Sequence, residues 1–171
     1  MIDVILSLDK QLLTEVGKKE LAKISAQSQP EGAQRLDAND IDGGEIPFRA
    51  GCTAVVALVL HKKIFVANLG DSRCVLIDKK GLALPLSTDH KPQNELERHR
   101  IEAAGASVSE DRVNGNLAVS RALGDCEYKD RSLQPEEQAV TALPEVTEYA
   151  RDGQEDFLVL ACDGIWDCMT N

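Results

Sequence analysis

Between Gly51 and Leu86 short apolar runs alternate with turns of a few residues, and this spacing restricts the fold more than any other feature of the chain. The runs are Cys52–Leu60, read as a buried strand, Ile64–Asn68, Ser72–Asp78 and Leu82–Leu86, parted by His61-Lys62-Lys63, Leu69-Gly70-Asp71 and Lys79-Lys80-Gly81. Their length and their valine, isoleucine and leucine content favour strands over helices. A parallel pair needs a crossover of roughly a dozen residues or more. Connections this short therefore predict antiparallel neighbours in a meander, and exclude an alternating parallel array. Further on, Phe157–Cys162 is apolar at every position, which predicts a strand buried on both faces.

Helical signals lie on either side of the strands. In residues 1–24, Ile5, Leu8, Leu12 and Val16 recur at helical spacing, and Leu13, Leu21 and Ile24 broaden the stripe. One amphipathic helix is expected over 3–24. Residues 25–49 lose all periodicity in favour of Gln, Ser, Asp, Gly and Pro, so an exposed loop or insertion is expected there. Its Asp37, Asp40 and Asp42 resemble a calcium loop superficially, but the glycine and closing glutamate are not at the required offsets. Pro92 precedes a helix expected over Asn94–Ala104, with Gly105 as its stop. Ala106–Val113 then reads as a short strand ending at an Asn114-Gly115 turn. Residues 50–171 show no composition break that demands a second domain.

The formal net charge is −10, and residues 101–171 alone hold 15 acidic against 5 basic side chains. Such a surface repels phosphate backbones and anionic lipid, so neither nucleic acid nor membrane is an expected partner. No apolar run reaches the length of a bilayer span, and Met1-Ile2-Asp3-Val4 lacks the basic start of a signal peptide. Five cysteines without a C-x-x-C pair fit reduced thiols, so a cytoplasmic or nuclear location is expected. The scattered His61, His90 and His99 make no zinc site.

Chemistry-bearing residues gather at two strand ends. Ile64–Leu69 runs into Gly70-Asp71-Ser72-Arg73, and Phe157–Cys162 runs into Asp163-Gly164-Ile165-Trp166-Asp167. If a helix starts there, Asp163 and Asp167 lie one turn apart on one face. With Asp71 beside them, such carboxylates repel unless a cation stands between, and all-carboxylate donors suit Mg²⁺ or Mn²⁺. Taken singly, Asp163 also fits a helix cap and Asp71 a turn. Arg73, Arg112 and Arg121 are the cations embedded in this half, suited to pairing with those acids or to binding a phosphorylated substrate. Two rival sites fail on residue type. A haloacid-dehalogenase-type phosphatase needs a second aspartate where Ile165 stands. A serine hydrolase through Ser72 or Ser120 lacks a histidine near a late acid, and Ser120 has no glycine elbow.

Ala67-Asn-Leu-Gly-Asp-Ser-Arg73, Leu86-Ser-Thr-Asp-His-Lys-Pro92 and Arg112-Val-Asn-Gly-Asn-Leu-Ala-Val-Ser-Arg-Ala-Leu-Gly-Asp125 follow one another in order. Ala139-Val-Thr141 and Leu158-Val-Leu-Ala-Cys-Asp-Gly-Ile-Trp-Asp167 come after them. Together they resemble the metal-dependent protein phosphatases of the 2C type, over about Ala50 to Asn171. The resemblance implies an α+β fold in which two antiparallel β-sheets pack as a sandwich flanked by helices, an α-β-β-α arrangement whose central part is residues 50–171. It implies hydrolysis of phosphoserine and phosphothreonine by water activated between two Mn²⁺ or Mg²⁺ ions. Two ions suit that reaction because one lowers the pKa of the water and both neutralise charge building on the phosphoryl oxygens.

Carried over residue by residue, the resemblance implies Asp163 as a metal ligand, and Asp71 and Asp167 as carboxylates of an additional, more weakly held metal. It places Arg112 at the edge of the substrate groove. The partners it implies are phosphorylated proteins, acted on by a monomer. Two family features do not occur in the sequence: the Asp-Gly-His-Gly segment that bridges both metals, and the Gly-x-Asp-Asn motif with another metal aspartate. The expectation is thus a phosphatase domain incomplete at both ends and inactive by itself. The alternative is a catalytically inactive module of the same fold that binds or regulates. Asp71, Asp163 and Asp167 together favour the first, since a pure scaffold has no need of all three.

Overall fold

The computed structural model describes residues 1–28 and 50–171. Asp37, Asp40 and Asp42, and most of the loop expected over 25–49, lie outside the described residues. The elements are α1 (Ile2–Leu12), α2 (Glu15–Ser28), β1 (Gly51–Cys52), β2 (Ala54–Val59), β3 (Lys63–Leu69), β4 (Arg73–Asp78) and β5 (Ala83–Pro85). There follow α3 (Glu95–Ala103), β6 (Val108–Ser109), β7 (Arg112–Val113), β8 (Leu123–Gly124), β9 (Glu145–Ala150), β10 (Glu155–Ala161) and α4 (Asp163–Trp166).

The single helix expected over 3–24 is two helices, the second continuing through 25–28. Thr14 makes the break. Its hydroxyl donates to the Gln11 carbonyl at 2.8 Å and accepts the Gly17 N–H at 3.1 Å, so one side chain closes α1 and opens α2. The apolar stripe continues across this corner, which is why periodicity alone did not reveal it.

Two three-stranded antiparallel sheets, ordered β2-β3-β9 and β10-β4-β5, face one another. Ile64 and Val66 of β3 and Cys74 and Leu76 of β4 share one buried cluster with Leu86, and Val55, Ala57, Tyr149 and Leu158 pack against it. The meander expectation is met within each sheet, by β2–β3 and by β4–β5. Between β3 and β4 it is not. Gly70-Asp71-Ser72 carries the chain from one sheet to the other, since three extended residues reach the roughly 10 Å between packed sheets. On the outer face of the β2-β3-β9 sheet, Ile5 of α1 packs with Ala67 and Leu69. A separate cluster of Ile101, Val113, Val119, Ala122 and Val140 forms beneath α3. The α+β sandwich with helical flanks is thus the observed architecture.

Two burial expectations are corrected. In β2, Val56, Leu58 and Val59 are exposed. In β10 only Leu158 packs against the inter-sheet core, while Phe157 is 63% exposed and Val159 and Leu160 are also open. β2 and β10 each stand at the margin of their sheets. An apolar run specifies that a strand can be covered, but the covering comes from neighbours that the run does not contain.

The strand expected over Ala106–Val113 is instead a hairpin, β6 pairing with β7 through Val108 opposite Val113 and Ser109 opposite Arg112. It turns at Glu110 and Asp111, both left-handed at φ 52° and 59°. That conformation normally selects Asn-Gly. Asp111→Gly is expected to stabilise the chain by up to about 1 kcal/mol by relieving this backbone cost. The check is a rise in the urea midpoint at unchanged m-value. No helix among the described residues is long and apolar enough to cross a membrane.

Candidate functional site

The register between β4 and β10 sets the site. Ala161 pairs with Arg73. Asp71 lies just before Arg73 and Asp163 just after Ala161, so both come to the same end of the β10-β4-β5 sheet. Asp71 sits in the crossover turn and is itself buried.

That turn is clamped on both sides. The Gly70 N–H donates to His90 Nδ1 at 3.2 Å, and the His90 N–H donates to the Gly70 carbonyl at 2.9 Å. Asn68 Nδ2 donates to the carbonyls of Gly70, at 3.2 Å, and Thr88, at 2.9 Å. Because Nδ1 accepts, the proton of the ring lies on Nε2, which donates to Glu145 Oε2 at 3.1 Å. Burial, helped by the charge of Arg121, holds His90 below its ordinary value against the opposing pull of Glu97 and Glu145. The neutral ring is the form that the bond from Gly70 requires.

Lys91 Nζ reaches Asp71 Oδ2 at 2.5 Å. Burial works against the charge of this amine, but the hydrogen bond to Asp71 and the fields of Asp71, Asp89 and Asp167 outweigh it, and its pKa is raised. Arg73 completes the surround. Its Nε and Nη2 meet the two oxygens of Asp89 at 2.9 and 3.0 Å. Its Nη1 donates to Asn171 Oδ1 at 2.5 Å, and its guanidinium lies 5.2 Å from the Trp166 ring centre. Trp166 is held in turn by Nε1 donating to the Ala161 carbonyl at 2.8 Å. The indole is therefore a platform for Arg73, and Arg73 ties Asn171 to the Asp89-Lys91 segment.

Of the residues singled out in the sequence, Asp71 pairs directly with Lys91, and Asp167 acts on the same nitrogen through its field. Asp163 opens α4 and is exposed, and the Asp167 N–H donates to its carbonyl at 2.7 Å, one turn on as expected. Arg112 is the exposed residue of β7, with Nη1 donating to the Asn116 carbonyl at 2.6 Å. Among the described residues no hydrogen bond or ion pair joins it to the three aspartates. Arg121 binds Glu97. Hard carboxylate oxygens match Mg²⁺ or Mn²⁺ in kind. Even so, no three His, Cys, Asp or Glu among the described residues stand close enough to hold an ion, and Asp71 already has Lys91 as its partner. The residues present do not by themselves fit the metal centre that the resemblance implies. Lys91 and Asp89 went unassigned in the sequence, although Thr88-Asp-His-Lys-Pro92 places an acid, an imidazole and an amine in succession.

A family model described as protein phosphatase 2C matches residues 5–171. The chain belongs to that family. Protein phosphatase 2C homolog 3 of Schizosaccharomyces pombe is 57% identical over 122 residues, which are 71% of this chain and 29% of the relative. The chain spans about a third of the length of the curated relatives it matches. Among solved structures, a phosphatase from a pathogenic strain of Toxoplasma gondii superposes with a TM-score of 0.57 and 45% identity, over 61% of this chain and 33% of that one. A serine-threonine phosphatase 2C from the same organism gives a TM-score of 0.61 across 98% of this chain and 64% of its own, at 20% identity, a likeness of fold.

Proposed function

We propose that residues 50–171 are the central part of a protein serine/threonine phosphatase domain of the 2C type. In this reading the complete domain hydrolyses phosphoserine and phosphothreonine in phosphorylated proteins, in the cytoplasm or nucleus and as a monomer. The observation that supports it is the β4–β10 register, which brings the buried Asp71 and the exposed Asp163, with Asp167 one turn beyond, to one end of the β10-β4-β5 sheet. Mg²⁺ or Mn²⁺ is the cofactor this reading implies for the complete domain, where it would supply a water of lowered pKa and a counter-charge for phosphoryl oxygens. Asp163, Asp71 and Asp167 are the carboxylates this chain contributes toward it, and Arg112 is its contribution to the substrate groove. Arg73 and Trp166 orient the turn that carries Asp167. Lys91, His90 and Asn68 hold the turn that carries Asp71.

The 171 residues alone are expected to show negligible Mn²⁺-dependent hydrolysis of a phosphopeptide. The sequence has no Asp-Gly-His-Gly segment, and no three described acids share an ion. Clear turnover that Asp163→Ala abolishes would overturn this expectation. The positive test is a chimera in which these residues replace the matched 122 residues of the S. pombe homolog. Retained Mn²⁺-dependent turnover, lowered at least a hundredfold by Asp163→Ala, is the expected result. A folded chimera without turnover would favour the second reading, a phosphatase-fold module without catalysis. That reading draws on one specific feature, the pairing of Asp71 with an amine.

A further inference from the structure

The mismatch between these residues and a metal centre has a definite origin. Asp71 is buried, and its carboxylate is met at 2.5 Å by an ammonium that belongs to the chain itself. Asp89 and Asp167 bear on the same nitrogen. Asp89 is additionally engaged by Nε and Nη2 of Arg73, so its charge is shared, whereas among the described residues Asp71 has Lys91 as its one ion-pair partner. We infer that Lys91 is the resident counter-cation of Asp71, and that a divalent ion reaches this carboxylate only by displacing the lysine.

The inference rests on the reading of Asp71 as a metal carboxylate and adds a competitor to it. The physical reason is short. A divalent ion on Asp71 Oδ2 would stand beside an ammonium on the same oxygen, and the repulsion of like charges in a partly buried site is too strong for both to remain. Lys91 has somewhere to go, because its side chain keeps 30% of its surface in solvent and sits on a flexible stem. A carboxylate with a built-in counter-charge also avoids the cost of a buried bare anion when no metal is bound. The arrangement therefore keeps the Asp71 turn folded without metal and makes any ion bound there weak and exchangeable.

The test uses the 171-residue chain and Mn²⁺ alone, with binding read by calorimetry. Lys91→Met is expected to tighten the Mn²⁺ site about tenfold or more, while Lys91→Arg, which keeps the charge, leaves it near the parent value. The unaltered chain gives an independent reading: Mn²⁺ should raise the acetylation rate of Lys91, followed by mass spectrometry, because the displaced amine becomes free. Equal affinity in the parent and Lys91→Met, with binding lost in Asp71→Asn and Lys91 reactivity unmoved, would overturn the displacement while leaving Asp71 a metal carboxylate. Binding absent from both proteins, or indifferent to Asp71→Asn, would overturn the metal reading of Asp71 and the displacement with it.

Discussion

Glu97→Ala is expected to destabilise the chain by about 3–5 kcal/mol at neutral pH, the range for one partner removed from a buried ion pair. Glu97 stands in α3 with its side chain only 5% exposed. Arg121 Nη2 meets its Oε1 at 2.5 Å, Arg100 Nη2 meets its Oε2 at 2.8 Å, and the Ser120 hydroxyl donates to Oε2 at 2.5 Å. Those arginines reach further. Arg100 donates to the carbonyls of Gln138 and Ser120 at 2.9 and 2.7 Å, and Arg121 to that of Leu143 at 3.1 Å. One carboxylate therefore joins α3 to two loop segments, and alanine would leave two largely buried guanidinium groups without their anion. Burial by itself would push the Glu97 carboxyl up. The hydrogen bonds and charges of Arg121 and Arg100, with Ser120, win and hold it at about 2, against an ordinary 4.5.

The sign of the pH dependence follows. A carboxylate lowered on folding contributes stability that is complete above its unfolded value and is lost as pH falls through the folded one. The contribution of Glu97, roughly 3 kcal/mol from a shift of this size, should be present above about pH 5 and fade toward pH 2. Urea unfolding of the parent and Glu97→Gln across that window is the measurement. The two curves should converge as acid is added, and a gap that stays constant would remove Glu97 as the source.

Gly70→Ala is the second large effect, expected to cost about 3 kcal/mol or more. Gly70 has φ 102°, a region that L side chains rarely adopt. A Cβ built there would stand 2.3 Å from Thr53 Cγ2, 2.7 Å from Thr53 Cβ and 3.1 Å from the Arg121 carbonyl. Thr53 cannot retreat freely, since its hydroxyl is 2.9 Å from that of Ser72 across the same turn. Strain and overpacking therefore add. Gly81→Ala and Gly153→Ala supply the controls, because at φ 81° and 82° they share the backbone cost and have nothing within 4 Å. Those two should lose only about 1 kcal/mol. A Gly70→Ala protein no less stable than the controls would show that the crossover is not tightly packed.

The elements differ in how far residue pattern alone could reach. β3, β4 and α3 were found close to their observed limits, because each carries both a periodic apolar set and a nearby turn or stop. The α1–α2 corner was missed because Thr14 acts through two hydrogen bonds that leave the apolar stripe unbroken. The openness of β10 was missed because coverage belongs to its neighbours. In the site, Asp71 and Asp167 were found by their place after apolar strands. Lys91 was not, because its meaning lies in a contact across twenty positions of sequence.

From residue order alone came the positions of β3, β4 and β10, the antiparallel sense within each sheet, the ordered motifs and the acids at two strand ends. These are local quantities, fixed by spacing, turn length and side-chain type. Folding in three dimensions settled the rest: that Gly70-Asp71-Ser72 passes between sheets rather than along one, that Ala161 pairs with Arg73 and so gathers the acids at one end, and that an amine rather than a second acid faces Asp71. Charge acts through space and not along the chain, so which cation neutralises a buried carboxylate is decided by what packing brings within a few ångström of it.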